Sequence, residues 1–173
     1  MPIPQNEILA ARGLVAESRR LASTKIAARA ARIKTAFLCH SRKDQELAMS
    51  VQDFLWKNGW RVYVDWQDTT MPDKPNHETA NRLQEKIRDN DWFLFLATAN
   101  SMASRWCPWE IGYADSAKGK QAILVIPTSD ATGSHGSEYM DLYRRVDRVP
   151  DGRIAEFTEG FYYTHQHLSS LNR

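Results

Sequence analysis

Cysteine is scarce in this chain, and the scarcity is its first constraint. Two cysteines in 173 residues, both in or beside apolar segments, build no disulfide framework and suit a reducing compartment. Long apolar runs are also missing. Trp92 to Ala97 and Ala122 to Ile126 are about a third of the ~20 residues that a membrane-spanning helix needs, so they read as buried strands and no membrane span is expected. Nothing resembles a secretory signal with a long apolar core, which makes the cytoplasm the expected compartment. Internal repeats and low-complexity tracts are absent. Basic charge is lacking where a nucleic-acid face would need it: the net charge is +2, but residues 1–34 carry seven basic groups against Glu7 and Glu17, which leaves the remainder acidic.

What is present divides into an arm, 1–33, and a main domain, 34–173, with an extension from about residue 128. The arm is rich in Ala, Leu and Arg from Asn6 to Ile33 and has no proline there, a helix composition. Ile8, Ala11, Val15, Ala22, Ile26 and Ile33 form an apolar stripe flanked by arginines, so an amphipathic helix is expected, packed on its own domain, on a second copy or on another partner. From Lys34 onward short apolar runs alternate with helical patterns: strands at Thr35 to Cys39, Arg61 to Asp65, Trp92 to Ala97 and Ala122 to Ile126; helices at Gln45 to Lys57, His77 to Arg88 and from Glu110 to about Ala117. Such alternation predicts βαβ units and a doubly wound parallel sheet covered on both faces. The tail is less regular. A short helix is expected over Glu138 to Arg145, with short strands at Val146 to Val149 and Ile154 to Phe157.

Four motifs in order resemble the TIR (Toll/interleukin-1 receptor) domain: Phe37-Leu38-Cys39-His40-Ser41-Arg42-Lys43-Asp44, Gly59-Trp60-Arg61-Val62-Tyr63-Val64-Asp65, Phe93-Leu94-Phe95-Leu96, and Ser104-Arg105-Trp106-Cys107-Pro108-Trp109-Glu110-Ile111. The resemblance covers roughly Lys34 to Pro127. It implies a flavodoxin-like sheet in the strand order 2-1-3-4-5. It also implies cleavage of the nicotinamide–ribose bond of NAD as substrate, by a glutamate that corresponds to Glu110. His40, Ser41 and Arg42 would line the nucleotide site, with Phe37, Asp65, Trp66, Trp106, Trp109 and Tyr113 as further candidate substrate contacts. A compact TIR domain with a basic helix resembles the bacterial TIR proteins of anti-phage defence such as Thoeris, whose product signals to a separate effector. The loop Trp66 to Asn76 has prolines but no glycine where many TIR domains place one after a proline.

Residue chemistry fits the implied reaction. Loss of nicotinamide leaves positive charge on the ribose, which a nearby carboxylate stabilises, while nicotinamide departs neutral and needs no general acid. The stacking rings come from Trp106 and Tyr113, four before and three after Glu110. A second reading of Glu110 stands beside this one: with Cys107 as helix cap and Pro108 first in the helix, a glutamate in the third position reaches back to the cap amide. Ser41 and Asp44 could likewise be plain helix caps, Phe37 a core residue, and Cys39 and Cys107 neighbouring buried thiols. His40, Ser41 and Asp44 make no hydrolase triad without a nucleophile elbow, and His165 with His167 lacks the ligand cluster that a metal site needs. Two other function classes remain open, an adaptor that only binds other TIR domains and a nucleoside deoxyribosyltransferase-like enzyme.

Overall fold

The computed structural model describes residues 1–10, 12, 33–69, 76–148, 154–157 and 166–167. Strand β1 (Ile3–Pro4) and helix α1 (Gln5–Ala10) precede the main alternation of β2 (Lys34–Cys39), α2 (Gln45–Lys57), β3 (Trp60–Tyr63), α3 (His77–Asp89) and β4 (Trp92–Ala97). Then come the short α4 (Ala99–Met102), α5 (Cys107–Lys118), β5 (Ile123–Asp130), β6 (Gly133–His135), α6 (Ser137–Met140), β7 (Arg144–Arg148), β8 (Ile154–Phe157) and β9 (Gln166–His167). The sheet order is β3-β2-β4-β5-β7-β8-β9. Strands β2, β3, β4, β5 and β7 pair in parallel, so the first five places give the expected 2-1-3-4-5 order.

Alternation along the strands sorts the core into two layers. Ala36, Leu38, Leu94 and Leu96 face α1 and α2, where Ile8, Leu47, Val51 and Leu55 meet them. Phe37, Cys39, Phe93 and Phe95 face α3 and α5, where Leu83, Ile87, Ile111 and Ala114 meet them. Every residue of β4 is buried, as a central strand covered on both sides requires. Phe93 and Phe95 are fully buried, and each stabilises the fold by about 2–3 kcal/mol through area removed from water.

Local chemistry sets the helix ends. Asn76 accepts the Thr79 amide through Oδ1 at 2.9 Å while Thr79 Oγ1 accepts the Asn76 amide at 3.1 Å, a reciprocal cap that starts α3. Gly119 ends α5 at φ +78°, a conformation that favours glycine. Thr35 Oγ1 donates to Asp91 Oδ2 at 2.8 Å and pins the amino ends of β2 and β4 together.

Two expectations change in the second half of the chain, and one strand is added in the first. Strand β1 precedes the arm helix and pairs in parallel with β5, Ile3 beside Thr128, while α1 over Gln5–Ala10 agrees with the helix expected from Asn6 as far as the described residues reach. Position 11 and positions 13–32 lie outside the described residues. Strand β5 runs on to Asp130, because Thr128 is buried with its hydroxyl 2.6 Å from Ala97 O, and because Asp130 Oδ1 accepts the Thr132 amide at 2.7 Å to make the turn into β6. Arg144 and Arg145 are strand rather than helix, since register with Leu124 and Val125 on the β5 edge overrides local preference. Positions 70–75 of the loop after β3, and Phe161 to Tyr163, lie outside the described residues.

Candidate functional site

Three chain segments leave the carboxyl ends of neighbouring strands at one edge of the sheet. After β2 comes a 3-10 turn over Arg42–Asp44, after β3 another over Asp65–Gln67, and after β4 the segment from Thr98 through α4 to α5. The chain leaves β2 for α2 on one face and β4 for α5 on the other, the arrangement that opens a crevice in a doubly wound sheet.

Asp44 ties the two sides of that opening together. Its Oδ2 accepts Thr98 Oγ1 at 2.6 Å and its Oδ1 accepts Asn100 Nδ2 at 2.6 Å. Asp44 thus precedes α2 without capping it by its side chain, whereas Ser41 Oγ caps the preceding turn by accepting the Lys43 amide at 3.3 Å. Arg42 is exposed beside it. Removing the carboxylate in Asp44→Ala deletes two charge-assisted bonds and leaves the buried Thr98 hydroxyl with Ser101 alone. The variant is expected to lose about 2 kcal/mol, seen as a lower denaturation midpoint at an unchanged slope.

His40, the next residue after β2, is buried with both ring nitrogens engaged: Nδ1 lies 3.0 Å from Leu38 O and Nε2 lies 2.9 Å from Trp66 Nε1. Asp65 Oδ1 is 3.8 Å from the same Nε2. Neither Ser41 nor Asp44 is its partner, so the three form no triad.

Glu110 is 7% exposed in the first turns of α5. Trp106 precedes the helix, Cys107 is its first residue and Pro108 its second, so Glu110 is the fourth, and its own amide donates to Trp106 O at 2.9 Å. The capping work falls to Ser104, whose Oγ accepts the Trp106 amide at 3.1 Å and the Cys107 amide at 3.3 Å. The capping reading of Glu110 therefore fails, because the helix starts one residue early and its free amides already have a hydroxyl.

The surroundings of Glu110 are thiols and a carboxylate. Cys39 ends β2 with Sγ 4.0 Å from Cys107 O, and both cysteines are buried and free. Burial pushes the Glu110 carboxyl up to about 8; the charge of Cys107 and that of Asp65 push the same way, and a hydrogen bond from Cys39 opposes them. Burial likewise raises the Cys39 thiol well above its ordinary range, while the hydrogen bond from Cys39 lowers that of Cys107. A carboxyl held neutral by a dry pocket ionises readily when a cation arrives beside it.

The aromatic candidates separate into three places. Trp106, Trp109 and Tyr113 form a ladder on α5: Trp106 meets Trp109 edge-on at 5.5 Å between centroids, and Trp109 stacks on Tyr113 at 6.1 Å. Trp109 is 36% exposed, and the Arg88 guanidinium lies 5.9 Å over the Tyr113 ring. Trp66 is half-buried against the opposite core layer. Phe37 is 1% exposed and stacked between Tyr63 at 5.6 Å and Phe93 at 5.7 Å, so its ring belongs to the core and not to the crevice. The structure therefore brings Glu110, Cys39, Cys107, Asp65, His40 and Trp66 to one sheet edge and sets the ladder on the α5 side of it. Sequence reasoning missed the Asp44 cross-link and the Ser104 cap; a serine three residues before the first helical position is a signal that could have found the latter.

A family model for the TIR domain matches residues 36–154, well over half of the chain. This chain belongs to the TIR domain family. The TIR domain here is also 35% identical over 132 residues to a Bacillus cereus protein named "Probable 3' cyclic ADP-D-ribose synthase ThsB'", a match that spans 75% of this chain and 67% of the relative. The matched region of the TIR domain holds every strand exit of the crevice and Glu110 itself. Among the described residues, no helix is long and apolar enough to cross a membrane, and no group of three or more His, Cys, Asp or Glu could hold a metal ion.

Proposed function

We propose that this TIR domain cleaves the nicotinamide–ribose bond of NAD, with Glu110 as the catalytic residue, and releases ADP-ribose or a cyclic ADP-ribose isomer. The observation that carries the reading is a buried carboxyl at the carboxyl edge of the sheet that no cap, cation or ion pair among the described residues accounts for. Its support is the cyclic ADP-ribose synthase named among the TIR domain's relatives.

The chemistry follows from the dry carboxyl. NAD brings a cationic nicotinamide ring, and as that ring leaves, positive charge moves onto the ribose. Burial holds the Glu110 proton up to about 8, so the carboxyl is neutral at pH 7. The approaching positive charge favours the carboxylate, and the carboxylate is worth most in the transition state, where the charge sits on the sugar and water is excluded. Capture of the sugar by water gives ADP-ribose; capture by a nucleophile of the same molecule gives a ring. Ser41 and Arg42 at the exit of β2 offer a hydroxyl and a cation to the phosphates, and the α5 ladder and Trp66 offer stacking surfaces. Self-association through TIR surfaces or the N-terminal segment, and an effector that senses the product in anti-phage defence, complete the proposal for a cytoplasmic signalling enzyme.

The test is nicotinamide release by the purified protein, alone, self-associated and with infected-cell extract, with product identification by mass spectrometry. No consumption of NAD under any of these conditions defeats the proposal. The expected pH dependence has a definite sign: because the carboxylate is the working form, kcat/KM should rise with pH through about 8, and a profile that falls over pH 7–8.5 contradicts the assignment of Glu110.

A further inference from the structure

His40 is buried at the crevice, its side chain 1% exposed. An indole nitrogen only donates, so the 2.9 Å contact from Trp66 Nε1 makes His40 Nε2 the acceptor. The ring proton then sits on Nδ1, where the Leu38 carbonyl accepts it at 3.0 Å. This is a neutral imidazole with both nitrogens satisfied, and neither is left over for a phosphate or a ribose hydroxyl. Its anchoring is rigid at one end, since Leu38 pairs with Leu94 of β4, and aimed at a half-buried turn at the other.

That turn is where the ring matters. Trp66 lies in the short turn after β3, beyond which the loop leaves the sheet, and its indole packs on the α1–α2 core layer. Its neighbour Asp65 lies 3.8 Å from the same Nε2 and close enough to Glu110 for its charge to act on that carboxyl. Cys39, which precedes His40, lies with Sγ 4.0 Å from Cys107 O at the start of the helix that carries Glu110. The histidine thus joins the strand that meets the start of α5 to the turn that carries Trp66.

We propose that His40 is a positioning residue, whose Nε2 fixes the Trp66 indole as a wall of the crevice beside Glu110 and which does not itself touch the substrate. This deepens the NAD-cleaving reading and rests on it. An indole tied by its N–H has one orientation, and a ring held in one orientation offers a flat surface to nicotinamide or adenine without an ordering cost at binding.

The test uses the full chain labelled with nitrogen-15, with the Trp66 indole resonance assigned by its loss in Trp66→Phe. His40→Leu is expected to move that resonance upfield, out of the hydrogen-bonded range, and to raise KM for NAD about tenfold with kcat within about twofold of wild type. His40→Gln, whose amide oxygen reaches about as far as Nε2, is expected to return both signals toward wild type. Should His40→Leu fail to fold, His40→Asn carries the same comparison, because its shorter amide reaches only the Nδ1 position. An indole resonance that His40→Leu leaves in place overturns the bond, and a KM untouched despite a shifted resonance overturns its role for substrate. Failure of the parent reading looks different: the wild type releases no nicotinamide, and the wall proposed for NAD falls with it.

Discussion

Glu110→Gln is expected to lower nicotinamide release about 1,000-fold or more and at the same time to raise the melting temperature in alkaline buffer. The first effect follows from the proposed role, since a neutral amide cannot stabilise charge on the departing sugar. The second does not depend on it. In the fold the carboxyl holds its proton up to about 8, whereas its ordinary value is 4.5. Between those limits the unfolded chain is ionised and the folded chain is not, so stability is fully present below about pH 4.5 and is lost progressively as pH rises toward 8. At about 1.4 kcal/mol per tenfold preference, the loss at pH 8.5 is on the order of 5 kcal/mol. Glutamine removes it, and the variant should melt about 10 °C above wild type at pH 8.5 while nearly matching it at pH 5. Thermal scans at both pH values check this. A variant that melts below wild type at pH 8.5 would show that Glu110 is held as a carboxylate by partners that stabilise the fold.

Gly136→Ala is expected to be the most damaging glycine-to-alanine change among the described residues. Gly136 sits at φ +94°, before α6, and a Cβ there would stand 2.6 Å from Ala97 Cβ and 3.7 Å from Val125 Cγ1. Ala97 ends β4, so the intrusion presses on the strand whose exit forms one side of the crevice. Left-handed strain and overpacking together are expected to cost about 3 kcal/mol, or about 10 °C in melting temperature. Gly133→Ala is the matched comparison: φ is +135°, but nothing lies within 4 Å of the added carbon. It should lose clearly less. Equal losses in the two variants would mean that backbone conformation, and not the contact with Ala97, governs the site.

The parallel sheet was legible because its central strands carry their signal locally. Trp92 to Ala97 is apolar at every position, and a strand buried on both faces requires that. The order of the exits then placed Glu110 correctly at the carboxyl edge. What escaped reading was chemistry between residues distant in sequence. Asp44 meets Thr98 and Asn100 across more than fifty positions, and a lone aspartate beside a helix start looks like a cap until its partners are known. Cys39 carries no mark that distinguishes a thiol facing a carboxyl from one facing leucine. His40 entered as a site residue through the TIR resemblance, and nothing in the sequence marks the Trp66 indole, twenty-six positions on, as the partner of its Nε2. The start of β7 was misplaced for the opposite reason: Val146 to Arg148 are strand as expected, but Arg144 and Arg145 also pair with β5, and the β5 edge, not any alternation of their own, makes them extended.

The shared strand β5 has a practical consequence. Ile3 enters the molecule beside Thr128, and the Thr128 hydroxyl reaches Ala97, the last residue of β4. The segment Ile3–Pro4 therefore lies at the same carboxyl rim as the crevice. A bulky label attached to this segment is a neighbour of the opening, and assays of turnover or assembly made with one should be repeated without it.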